Sequence, residues 1–181
     1  IHIVFGITDR NQIKLLHFSK ADFCEEDICK FGPECKAEDL ARRDQLIDEA
    51  FQLVQVNLAG YDRPYEKHGN KHICTVPGYL LTYAGMDDCV NEIGRKITVY
   101  QEDRTVTHVR LETEMQFYKG TSVVRMKNRI INEGEDTQCL EYLSSFCYTG
   151  IEKEGKSNSD AKMRVRIPYN GWQKEMSIRE F

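Results

Sequence analysis

Residues 61–78 hold the densest set of groups in the chain that could engage a ligand. Tyr61, Asp62, Arg63, Tyr65, Glu66, His68, Lys71 and His72 supply planar hydrogen-bonding groups and aromatic faces. That mixture suits a polyol or sugar, which needs donors and acceptors around an apolar ring face. His68 and His72 stand four apart, a spacing that lets two histidines share a metal on a helix. Gly69 and Asn70 disfavour a helix there, and no Glu follows His68 as in a zinc-protease helix. No metal and no other cofactor are therefore expected. Cys74 could pair with a histidine as a nucleophile, but nothing around it marks its thiol as activated, so a structural cysteine is the expectation. The plain alternative for the whole stretch is a solvated connection.

Other chemistry-bearing residues are weaker candidates. Glu112 and Glu114 would share one strand face at nearly the roughly 5–5.5 Å separation of a retaining glycosidase pair. Basic residues are expected opposite them, so a solvated face is the reading, and no catalytic residue is assigned within the chain. Trp172, with Asn170, is either a second sugar-contacting element or a core aromatic. Cys24, Cys29 and Cys35 match no common zinc spacing, and no fourth ligand stands out. The chain has no Gly-rich phosphate loop.

Such groups need a scaffold, and 181 residues suffice for one domain with a sizeable core. We read residues 1–181 as a single domain with no internal repeat. The net charge of −4 argues against nucleic acid as a partner. No apolar run approaches the roughly 20 residues of a membrane-spanning helix. The first seven residues read as a strand rather than a signal peptide. The seven cysteines are an odd number and no Asn-x-Ser/Thr acceptor occurs. Both lean towards a reducing cytoplasm.

Hydropathy patterning supplies the elements. Residues 1–7 and 13–19 alternate around a short turn and predict a hairpin. Residues 20–36 read as a loop and 37–50 as the one plausible helix. Residues 51–58 alternate as a strand leading into the polar stretch. Residues 79–84 read as a short strand, 85–94 as a polar turn, and 96–101 as a strand. Residues 139–148 predict a strand with Leu140, Tyr142, Phe146 and Tyr148 towards the core. Residues 152–162 read as a mobile connection and 163–167 as a further strand. Many strands, one helix and hairpin spacing indicate an antiparallel β-sandwich.

The sharpest local prediction covers residues 105–131. Val109, Leu111, Thr113, Met115 and Phe117 share one face, while His108, Arg110, Glu112, Glu114 and Gln116 share the other; the partner strand places Val124, Met126 and Ile130 on one face and Arg125, Lys127 and Arg129 on the other. A two-residue turn at Lys119-Gly120 would pair Glu114 with Arg125, Glu112 with Lys127, Met115 with Val124 and Thr113 with Met126. A slip of one residue would reverse every side chain, so the pattern constrains the register.

Four stretches also carry a family resemblance. They are His68-Gly69-Asn70-Lys71-His72 with Thr75-Val76-Pro77-Gly78, Leu80 and Tyr83; Arg129-Ile130-Ile131-Asn132-Glu133-Gly134; Leu140-Glu141-Tyr142-Leu143-Ser144-Ser145-Phe146; and Pro168-Tyr169-Asn170-Gly171-Trp172 with Glu175. In this order they resemble the N-terminal β-sandwich domain of α-galactosidases of glycoside hydrolase family 36, over roughly residues 51–178. Glu66-Lys67 stands where that family often has Asp-His, Tyr169 where it has His, and Ile178 where a second Trp is common.

The resemblance implies an all-β, mainly antiparallel β-supersandwich of the galactose-mutarotase-like kind, with one or two short helices. In that family it precedes a (β/α)₈ barrel that carries the two catalytic Asp residues of retaining hydrolysis. The implied activity of the whole enzyme is hydrolysis of terminal α-galactosides such as melibiose or raffinose. The implied partners are an α-galactoside oligosaccharide, the chain's own C-terminal barrel, and further copies in a tetramer. Glu66, His68, Lys71, His72 and Trp172 are then the substrate-binding candidates. The alternative is a free-standing carbohydrate-binding β-sandwich.

Overall fold

A computed structural model of the chain describes residues 1–23, 52–61, 75–148, 166–171 and 174–180. The elements in order are β1 (His2–Ile7), β2 (Ile13–Ser19), β3 (Val56–Leu58), α1 (Val76–Leu80), β4 (Thr82–Val90) and β5 (Gly94–Asp103). β6 (Val109–Tyr118), β7 (Val124–Asn132), β8 (Leu140–Leu143), β9 (Arg166–Gly171) and β10 (Lys174–Glu180) follow. Every strand pairing is antiparallel. The fold is all-β and sandwich-like, as the alternation predicts. The helix expected at 37–50 and the connection expected at 152–162 lie outside the described residues.

The main sheet has the order β4-β5-β6-β7. Its inner face presents Ile97, Val99, Val109, Leu111 and Met115. The opposing wall is made by Ile13 and Leu15 of β2, by Leu53, Val54, Val56 and Leu58, and by Leu81. These side chains form one apolar core, and their removal from water is the main driving force for folding. The β1–β2 turn ties the two walls together. Asn11 takes φ 58° there, its carbonyl accepts from Tyr83 N at 2.6 Å, and its Nδ2 donates to Tyr83 O at 2.9 Å.

Several expectations need correction, among them the strand expected over 51–58, of which only Val56–Leu58 forms β3. Residues 79–84 are not one strand: α1 runs to Leu80, and β4 begins at Thr82. Thr75 caps this helix with extended backbone, and its Oγ1 accepts from Gly78 N at 3.2 Å. Pro77 suits the first turn, where its missing N–H is not needed.

Residues 85–94 are not a polar turn either, since β4 continues to Val90. The polar residues that suggest a turn are partnered across the sheet. Asp88 accepts from Arg95 Nε and Nη2 at 2.8 and 2.5 Å, and Asp87 accepts from the Tyr100 hydroxyl at 2.7 Å. The reversal is confined to the residues around Asn91 and Gly94. Gly94 has φ 157°, and a Cβ there would lie 1.9 Å from Phe117 O, so the strand crossing demands glycine.

A further correction concerns register. The faces of β6 and β7 are as predicted, but Glu114 lies opposite Lys127, Glu112 opposite Arg129, Met115 opposite Met126 and Thr113 opposite Asn128. The register is shifted by two residues from that of a Lys119-Gly120 turn, because the connection is longer and the chain stays out of the ladder until Val124. A shift of two preserves every face. Hydropathy alone therefore could not detect it.

The strand expected over 139–148 is also shorter, ending at Leu143. Leu140 and Phe146 are exposed at 45% and 40%, while Leu143 and Tyr148 pack on the core. Alternation breaks where Ser144 and Ser145 turn their carbonyls to Asn128 Nδ2, at 2.5 and 3.2 Å.

Candidate functional site

Glu66, His68, Lys71, His72 and Trp172 all lie outside the described residues. The two ends of the polar stretch are described, and both are tied to β3. On the entering side, Tyr61 N donates to Leu58 O at 3.4 Å, and the Tyr61 side chain packs on the core. On the leaving side, the buried Thr75 hydroxyl donates to Val56 O. One hydroxyl thus caps α1 and joins it to β3.

β3 also meets a second motif-bearing segment. On its far side it pairs with β8, with Val56 opposite Leu143 and Asn57 opposite Tyr142. Asn57 Nδ2 donates to Glu141 Oε2. Just before β3, Gln55 N donates to Ser144 Oγ at 2.8 Å, and Ser144 N donates to Gln55 O at 2.8 Å. Asn128 then links Ser144 to β7. Stretches far apart in sequence are therefore gathered on and beside one short strand: 75–78 and 140–144.

Neutral amides fill the neighbouring space. Gln12 Nε2 donates to Tyr79 O at 2.5 Å, and Gln52 Nε2 donates to Gln12 Oε1 at 3.2 Å. Gln12, Gln52, Gln55 and Asn57 are all buried. Sequence reasoning reads Gln52, Gln55 and Asn57 only as members of a strand over 51–58 and gives Gln12 no role. The available signal is their type: four uncharged amides and no charged residue at positions 12, 52, 55 and 57. Burial of neutral amides is tolerated when they are hydrogen-bonded.

The outer face of the main sheet differs in kind. Glu112 meets Arg110 at 3.3 Å and Arg129 at 3.4 Å, and Glu114 meets Lys96 at 3.7 Å. Arg110 also lies over the Tyr100 ring, 5.1 Å from its centroid. The bond to Asp87 holds the Tyr100 hydroxyl above its ordinary pKa. The bond from Arg95 holds the Asp88 carboxyl below its ordinary range. Glu112 and Glu114 thus form part of a charge ladder. They are not enclosed as a catalytic pair needs.

Asp103 is the one carboxylate held inside among the described residues. Burial pushes its pKa up, but bonds from the hydroxyls and backbone N–H groups of Thr105 and Thr107 outweigh this and bring it down to about 2. These bonds span 2.7–2.9 Å and shape the β5–β6 turn. Every polar partner is local, so the role is structural.

Among the described residues, no group of His, Cys, Asp and Glu is arranged to hold a metal. Among them, too, no helix is long and apolar enough to cross a membrane. The fold and site define an antiparallel β domain that holds both ends of a polar, aromatic-rich segment against one buried strand. No family model, curated protein or solved structure matches the chain.

Proposed function

We propose that the chain is the non-catalytic N-terminal domain of an α-galactosidase-like glycoside hydrolase. It supplies oligomer contacts and a loop near the sugar site. The observation that carries this reading is the convergence on β3. Segments from two of the four resembling stretches meet there, through Thr75 on Val56, Glu141 on Asn57 and Ser144 on Gln55. Tyr61 and Thr75, which flank residues 62–74, are both tied to that scaffold, and rigid scaffolds are where functional segments are carried. The basic partners of Glu112 and Glu114 agree with hydrolysis being done elsewhere in the parent protein.

The test is hydrolysis of an aryl α-galactoside by the 181-residue chain beside the product of its complete reading frame. Activity only in the longer protein is expected. Activity in the short chain would overturn the proposal, because it would place the acid/base pair within these residues. Lys71→Ala and His72→Ala in the longer protein are expected to lower activity with the melting temperature unchanged.

A second reading, a free-standing carbohydrate-binding module, is favoured by the outer face. Tyr100 there is surrounded by Asp87, Arg110 and Glu112, an aromatic among planar polar groups. Sugar affinity lost on Tyr100→Ala, with no hydrolysis by either protein, would select it.

A further inference from the structure

We draw no further inference here: the strongest candidate, the side-chain cluster of Asp87, Tyr100, Arg110 and Glu112 on the outer face of β4, β5 and β6, already carries the second reading above, and nothing in the structure shows what covers it.

Discussion

The outer face of the main sheet and the surroundings of β3 are both polar, yet they are built on opposite terms. On the sheet face, Lys96, Arg110, Glu112, Glu114 and Arg129 form ion pairs that remain in contact with water. Around β3, the polar groups are mostly neutral, mostly buried, and bonded in specific pairs. Exposed charge pairs exchange water for a partner at little gain, whereas a buried hydroxyl or amide left without its partner costs its full desolvation. The difference teaches that conspicuous charge marks the tolerant face of this domain, and inconspicuous amides and hydroxyls mark the demanding one.

The comparison can be broken most forcefully through the apolar layer that both regions rest on. Leu111→Ala, at a fully buried position, is expected to cost about 2–5 kcal/mol in chemical denaturation. A cost below about 1 kcal/mol would mean that the described core is not the stabilising one.

Asp103 gives the next largest effect and adds a pH signature. Its folded pKa of about 2 lies below its usual 3.8, so the unfolded chain binds more protons between these values. Stability from this group is therefore present above about pH 4 and lost as pH falls through about 2. Its size is roughly 2 kcal/mol. Asp103→Asn is expected to flatten stability against pH in that window, measured by urea melts at several pH values. An unchanged slope would show that another carboxylate controls it.

Thr75→Val keeps the shape but removes the hydroxyl that joins α1 to β3. A loss of about 1–2 kcal/mol is expected, read as a lower melting temperature. In the full-length enzyme that the proposed function requires, activity on an α-galactoside should fall with it if residues 62–74 serve the sugar site. Smallest is Glu112→Gln on the wet face, expected to change stability by less than about 1 kcal/mol, and by still less in high salt. A larger effect would erase the distinction between the two regions.

Much of the main sheet is legible in the amino-acid order. β6 declares itself because one face is buried and the other wet, so Val109, Leu111, Thr113 and Met115 must alternate with Arg110, Glu112 and Glu114. β4 hides because an edge strand needs no strict alternation, and Asp87 and Asp88 look like turn residues until Tyr100 and Arg95 are seen beside them. Of the candidate site, residues 62–74 are conspicuous in composition, whereas Gln12, Gln52, Gln55 and Asn57 are not. An amide in a sequence carries no sign of whether water or another amide will satisfy it.

By itself, then, the amino-acid order determined the all-β class, the faces of the long strands and the acidic balance of the chain. These follow from the period of hydropathy and from residue type, which are local properties. Only the tertiary structure decided the β6–β7 register, the length of β4 and the gathering of Thr75, Glu141 and Ser144 around β3. Each depends on a partner many residues away. A shift of two along a strand, or a hydroxyl turned towards a distant carbonyl, leaves no trace in the local pattern.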